Sequence, residues 1–410
     1  MDATRRDGAF TLTGARVVTL TGVLDPGWLV VVDGRIEATG TGSPPDGVPA
    51  SGDSRLDLEG AWVLPGFVDM HCHGGGGRSF AEGGTGARVA AACHREHGTT
   101  TLLASLATAS EADMAGSVRG LVGLARSGSA PHGVDHPVDL VAGIHLEGPF
   151  LARSHCGAHA PELLREPDAA LASSLLDAGE GTVRMVTLAP ELTGGLDLVR
   201  SLVGRGVVAA VGHTDATYAQ ASAAFAAGAS VLTHAGNAMR GFHHREPGPL
   251  LAAADAGASC EVINDGVHLH DATVRAIARQ VPGRVALITD AIAAAGAGDG
   301  DHRLGPRTIE VRDGVARLAR APDAAEGAEG PLAGSTLTMD RAVRRAVVDV
   351  GLPIATVAAA AATAPARTIG LGGVTGQIAP GYAADLVVLD HDLAVAGVCH
   401  RGTWTRHPDP

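Results

Sequence analysis

The chain begins and ends in strand-like patterns and repeats a different pattern between them. In residues 8–60, Ala9–Leu20 alternates loosely between apolar and polar positions and Trp28–Val32 is a β-rich run. Asp33-Gly34 then supplies a hairpin turn before Arg35–Ala38. From Val63 onward, short apolar runs alternate with Ala-rich helical stretches. The runs are Val63–Met70, Thr100–Leu106, Val138–His145, Val183–Leu188, Val207–Gly212, Ser230–His234, Cys260–Asn264 and Arg284–Thr289. Helical candidates between and after them include Gly86–His97 and Asp340–Val350. Eight strand candidates in serial β-α alternation predict a parallel (β/α)8 barrel in preference to a doubly wound sheet. Near the carboxyl end, Gly381–Asp390 returns to strand character with Asp385-Leu386-Val387-Val388-Leu389-Asp390. The two β-rich ends are therefore expected to pair. This gives an α/β fold with a small β-sandwich domain from residues 1–62 and 373–410 and a barrel domain over 63–372. The Ala/Glu/Gly-rich residues 322–331 predict a surface loop.

Composition narrows the function. A chain of 410 residues holds one large domain and a small one. Aromatic residues make up only 3% of it, so Ala, Val and Leu must fill the core. A net charge of −13 excludes a general nucleic-acid binder, because no basic field exists to hold a phosphate backbone. An anionic substrate would need a few well-placed cations instead. All 31 basic residues are arginine, a bias that a GC-rich genome explains. The absence of lysine excludes Schiff-base catalysis and a carbamylated lysine bridging two metals. The five cysteines, Cys72, Cys93, Cys156, Cys260 and Cys399, form no CxxC pair and suit a reducing compartment. Met1–Phe10 has no apolar signal core and no apolar run reaches membrane-spanning length. The expectation is a cytoplasmic protein with no membrane partner.

Candidate chemistry lies at the strand ends. His71-Cys72-His73 follows the first barrel run; on a strand, residues two apart share a face, so both imidazoles aim at the barrel mouth while Cys72 points away. Such a pair suits zinc, although two solvated turn histidines would read the same in isolation. The glycines Gly74–Gly77 are not followed by Lys-Ser/Thr and make no P-loop; close approach of backbone to a ligand is the expected use. Glu147, His213, His234 and Asp290 each stand at the end of a later run. Any one of them has a bland reading as a cap or a satisfied core residue. Together they offer imidazoles and carboxylates at the carboxyl ends of successive strands, the face of a (β/α)8 barrel where active sites form. A divalent metal held there would acidify water and polarise a carbonyl, with Asp290 as the general base and acid. The same ligands accept zinc, iron, cobalt or manganese.

Pro65-Gly66-Phe67-Val68-Asp69-Met70-His71-Cys72-His73-Gly74 resembles the opening strand of the amidohydrolase superfamily. His145-Leu146-Glu147-Gly148-Pro149-Phe150 resembles the signature of its N-acetylglucosamine-6-phosphate deacetylases. So do Gly212-His213-Thr214, Thr233-His234 with Asn237-Ala238-Met239, Asp265-Gly266-Val267-His268, Thr289-Asp290-Ala291, and Leu332-Ala333-Gly334-Ser335 with Leu337-Thr338-Met339. The order and approximate spacing agree along nearly the whole chain. The resemblance implies a (β/α)8 barrel that removes the acetyl group from an amino-sugar phosphate with one or two divalent metals, zinc foremost. It assigns Glu147, His213 and His234 to the main metal, and His71 and His73, with Glu147 bridging, to a second. It gives Asp290 the catalytic role and Ala158, His159, Asn237, Ala238, His268, Leu332, Ala333 and Gly334 contacts to substrate. Arg245 takes the phosphate, although in its setting His243-His244-Arg245-Glu246 a solvated loop residue reads equally well. The resemblance also implies a homodimer with a shared phosphate site. The chain departs from the family at Ala235-Gly236, where larger residues are usual; His155, Cys156, His243 and His244 carry no assigned role.

Two other functions fit the residues less well. One is a deacetylase of another N-acetylated sugar, or an aminoacylase; the other is a metal-free barrel serving as a scaffold, against which the full ligand set and Asp290 argue.

Overall fold

The protein is described here by a computed structural model that covers residues 9–45, 55–129, 140–319 and 329–408. Most of the loop expected at 322–331, and residues 138 and 139 of the third barrel run, lie outside the described residues. Eight parallel strands in chain order make the barrel: β1 Phe67–Cys72, β2 Thr99–Ala107, β3 Val141–Glu147, β4 Val183–Leu188, β5 Val208–Val211, β6 Val231–Leu232, β7 Ser259–Ile263 and β8 Val285–Ile288. The first and last strands meet at their carboxyl ends, where the Asp290 amide donates to the His71 carbonyl at 2.9 Å.

Alternate strand positions pack inward. Met70, Leu103, Met185 and Ile288 fill the lumen, and Ala366 and Ile369 join that core. The remaining strand residues pack outward against the helices, where small alanine side chains let helix and sheet approach closely. Local signals place those helices. Asp168 caps Ala169–Ala178 by accepting from the Ala170 and Leu171 amides. Thr217 and Gln220 close a capping box at the start of Tyr218–Ala226.

The expected strand Val63–Met70 is in fact two strands. Trp62–Pro65 pairs antiparallel with Leu386–Leu389, Val63 opposite Val388, whereas β1 opens the barrel. Pro65 lacks the amide to continue a ladder, and a Cβ on Gly66 would sit 2.2 Å from Thr100 Oγ1, so the chain crosses between layers at these two residues. Both chain ends share one eight-stranded sheet, in which Phe10–Thr19 pairs with Gly22–Val32 and with Trp62–Pro65. The sheet curls on itself: the Ile36 amide donates to the Tyr382 carbonyl and the Ala384 amide to the Gly34 carbonyl, both at 2.9 Å. Leu12, Leu29, Ile36 and Leu386 lie in its core. A three-stranded insert, Gly300–Leu304, Arg307–Arg312 and Val315–Leu318, follows β8 and packs Ile309, Val311 and Ala316 against Ala158, Ile292 and Ala333. Among the described residues no helix is long and apolar enough to cross a membrane.

One ion pair joins the helix before β2 to the helix after the insert. His97, the residue capping Gly84–Glu96, donates from Nδ1 to Asp340 in Met339–Val348 at 2.9 Å. That hydrogen bond raises the His97 imidazole above its ordinary value against the opposing effect of burial. Burial pushes the Asp340 carboxyl up, but the His97 contact outweighs it and holds the group below the usual range. The imidazole's contribution to stability is therefore full below its unfolded pKa of about 6.5 and disappears as pH rises through the higher folded value. The carboxylate's contribution is lost as pH falls through its depressed folded value. Denaturant titrations should accordingly show His97→Gln costing more stability at about pH 5.5 than at about pH 8.5, where less of the folded-state imidazole is charged; an equal cost at the two pH values would exclude a role for the charge.

Candidate metal centre

The carboxyl ends of the barrel strands bring together six of the side chains singled out in the sequence. Glu147 closes β3, His71 lies in β1 and His73 just follows it, and His213, His234 and Asp290 stand two residues beyond β5, β6 and β8. All six are buried. Glu147 Oε1 lies 3.2 Å from His213 Nε2 and 3.2 Å from His234 Nε2, and those two nitrogens are 3.1 Å apart. A second triangle shares the same carboxylate. His71 Nε2 and His73 Nε2 are 3.2 Å apart; they lie 3.4 Å and 3.2 Å from Glu147 Oε1 and Oε2, and 3.5 Å and 3.3 Å from Asp290 Oδ1. An ion held tetrahedrally at about 2.0–2.1 Å needs ligand atoms about 3.3 Å apart. Both triangles have that edge length. Nitrogen and carboxylate donors of this kind suit a divalent first-row metal.

Supporting contacts decide which nitrogen of each ring faces inward. His213 Nδ1 donates to the His155 carbonyl at 2.7 Å, and His71 Nδ1 donates to Glu261 Oε2 at 3.0 Å. With those protons on Nδ1, Nε2 of both rings carries a lone pair toward the cluster. His145, next to the motif carboxylate, is excluded as a ligand. Its Nδ1 is taken by Ser105 Oγ at 2.9 Å and its Nε2 by Thr187 Oγ1 at 2.8 Å, and its ring packs edge-on against His71. Cys72 turns away, as expected, and contacts His94 Nε2 at 3.1 Å.

The electrostatics follow from burying acids among imidazoles with no cation of another kind. Among the described residues no arginine pairs with Glu147, Glu261 or Asp290. Burial alone would push the Glu147 carboxyl up; His71, His159 and His213 outweigh it and hold it well below the usual carboxylate range. Asp290 is likewise lowered, its burial outweighed by His71 and His73. Burial opposes a charge on His73, yet Asp290 and Glu147 carry it up to about 9. Burial takes His213 down to about 4 despite the same carboxylate. Asp69, deeper in β1, is pushed up to about 7 by burial and satisfied by the Thr289 hydroxyl at 2.6 Å.

The backbone carries a cost here. His213, His234 and Asp290 have φ of +47°, +27° and +47°, in the left-handed region that side chains disfavour. The chain leaves each strand through a sharp turn that swings the side chain over the lumen.

A cavity of about 350 Å³ opens above the cluster. Of the expected substrate contacts, Ala158, His159, Asn237, Ala238, His268, Leu332 and Gly334 line it, and Leu304 of the insert adds an apolar wall. His159 reaches Glu147 Oε2 at 3.2 Å, so it faces the ligand cluster as well as the cavity. His268 donates from Nδ1 to Asp265 at 2.6 Å, which fixes its ring. Ala333 is buried in the insert's core instead of lining the cavity. Arg245 lies on an exposed loop with His243 and His244 and contacts His244 Nε2 at 2.7 Å, outside its own chain's cavity. The loop is held away by Glu246, which accepts from the Tyr218 amide at 2.6 Å. The glycines after His73 are needed for close packing within the chain. A Cβ on Gly74 would sit 2.3 Å from the Arg78 carbonyl, and the Gly76 and Gly77 amides donate to Ala295 and Ala293, so the run packs against the protein's own turn after β8. Glu261, Ser105 and Thr187 were not singled out from sequence; a lone glutamate inside the apolar run Cys260–Asn264 was the one available signal.

Residues 62–405 match the amidohydrolase family. The chain is similar, at 46% identity and a TM-score of 0.88, to a Mycobacterium smegmatis N-acetyl-D-glucosamine-6-phosphate deacetylase solved with N-acetyl-D-glucosamine-6-phosphate; the match covers 97% of this chain and 100% of that one. It is 36% identical to the human N-acetylglucosamine-6-phosphate deacetylase, covering 84% and 83% of the two chains. It is 35% identical to an N-acetylgalactosamine-6-phosphate deacetylase of Escherichia coli O157:H7, covering 95% and 98%.

Proposed function

The chain belongs to the amidohydrolase family, and from that premise we propose that it hydrolyses N-acetylglucosamine-6-phosphate to glucosamine-6-phosphate and acetate. The observation that carries this reading is the pair of ligand triangles sharing Glu147, with Asp290 beside them at the floor of a cavity. Glu147, His213 and His234 would hold the main divalent metal, zinc in our reading, and His71, His73 and Glu147 a second. A cation bound there supplies positive charge that acidifies water and polarises the acetamide carbonyl.

The chain's own residues do the rest. Asp290 Oδ1 lies 3.5 Å and 3.3 Å from His71 and His73 Nε2, beside both ligand triangles, where its carboxylate can take a proton from water as the oxygen bonds to the acetyl carbon. The same proton then passes from Asp290 to the departing nitrogen as the C–N bond breaks. His268, held by Asp265, and His159 and Asn237 at the cavity wall would orient the sugar. Leu304 and Ile263 exclude water from one side.

Arg245 does not line its own chain's cavity, which favours a homodimer in which each protomer's Arg245 reaches the partner's phosphate. Arginine's planar fork suits a phosphate dianion in a chain of net charge −13. A charged hydrogen bond contributes about 1.5–3 kcal/mol, so Arg245→Ala should lower kcat/KM for the phosphorylated sugar roughly 10–150-fold and leave the unphosphorylated sugar nearly unchanged. Equal loss on both would remove Arg245 from the phosphate site. We place the enzyme in the cytoplasm, on its cysteine usage.

A second reading is deacetylation of N-acetylgalactosamine-6-phosphate. It is favoured by the E. coli relative. Acetate release from the two phosphorylated epimers, before and after chelation, tests both. Release from neither sugar, or release insensitive to chelation, would refute the proposal.

A further inference from the structure

We propose that Glu261 is a positioning residue that governs occupation of the second metal position, the one built on His71 and His73. The inference rests on the metal centre proposed above. Glu261 lies in β7 and is fully buried, a rare state for glutamate unless its charge is matched. One oxygen does two jobs. Glu261 Oε2 accepts from His71 Nδ1 at 3.0 Å and from the His234 amide at 3.1 Å, while Oε1 has no partner among the described residues. A single atom thus ties the first strand's imidazole to the turn carrying a ligand of the other triangle.

The two histidines of the pair are not equivalent. His73 Nδ1 is buried without a hydrogen-bond partner among the described residues, as is His234 Nδ1. His71 alone of the pair has a carboxylate behind it. Accepting the Nδ1 proton fixes the tautomer and makes Nε2 a better electron donor, and loss of such a partner typically weakens metal affinity by about 10–100-fold. The main position depends less on Glu261, because His213 is oriented by the His155 carbonyl and Glu147 lies within reach of both rings.

Glu261→Gln separates charge from shape. A glutamine carbonyl at the Oε2 position can keep both hydrogen bonds, with its amide group at the site of the unpartnered oxygen. Zinc bound by wild type and E261Q would be counted by mass spectrometry after dialysis against a graded series of chelator-buffered free zinc. Wild type should hold two ions. E261Q, which loses the charge but keeps the hydrogen bonds, should release one of them at about 10-fold higher free zinc than wild type, the lower end of the range for losing the partner altogether, and leave the other unmoved. Restoring the second ion with excess zinc distinguishes a weakened site from a misfolded chain. Glu261→Asp, which keeps the charge but shortens the reach, should lose the same ion. A wild type that binds one ion only, matching zinc curves for wild type and E261Q, or loss of both ions in step would each overturn the proposal. Metal counts need no turnover, so an inactive protein with the predicted zinc curves would sink the deacetylase reading and leave this one standing.

Discussion

Asp290→Asn should lower acetate release by about 10²–10⁴-fold while the protein keeps its full metal content. Asp290 is the one buried carboxylate of the cluster that follows β8, and its Oδ1 lies 3.5 Å and 3.3 Å from His71 and His73. Asparagine preserves the shape and can still donate or accept a hydrogen bond, but it cannot take a proton from water and return it to nitrogen. KM should move little, because the sugar and its phosphate are held by other residues. Steady-state kinetics alongside metal counting separate the roles. Unchanged turnover with metal bound would refute the proton-transfer role, and loss of metal together with activity would recast Asp290 as chiefly a ligand.

Glu147→Ala should be as severe by a different route. Glu147 is the side chain common to both triangles, so its removal takes the contacting carboxylate from the His213–His234 pair and leaves the His71–His73 pair facing Asp290 alone. Metal content should fall below one ion per chain under conditions that load wild type. The affinity loss should exceed the about 10–100-fold typical of losing a supporting partner. Turnover should fall by 10³-fold or more, since a bound cation contributes several kcal/mol to charge stabilisation. In metal-free protein, where this carboxylate helps raise the pKa of His71 and His73, both rings should titrate at lower pH in the variant than in wild type, which histidine NMR signals would reveal. A variant that still bound two ions would show the bridge to be dispensable.

Much of this arrangement was visible in the sequence, because barrel strands bury both faces and so read as uninterrupted apolar runs. The ligands mark where those runs stop, and the barrel gathers their carboxyl ends at one mouth. What escaped reading depends on partners far apart in the chain. Glu261 and His71 are 190 residues apart, and nothing in Cys260–Asn264 indicates which imidazole will lie opposite. The change of sheet at Pro65-Gly66 was hidden because Trp62–Pro65 and β1 are both apolar and nearly contiguous. The insert after β8 escaped because its strands are short: Arg307–Arg312 and Val315–Leu318 do alternate, burying Ile309, Val311, Ala316 and Leu318, but each alternation lasts too few residues to stand out. Arg245 could be read as a phosphate ligand but not as one lying outside its own chain's cavity, since sequence does not show where a loop packs.

The left-handed turns at His213, His234 and Asp290 have an evolutionary consequence. Each holds a side chain where glycine would rest at lower energy, by roughly 1–2 kcal/mol per position. A search that rewarded heat tolerance of the metal-free protein without monitoring turnover would therefore favour glycine at these three sites. It would gain robustness by erasing the ligands and the acid–base residue, and selection for activity must hold these positions against that drift.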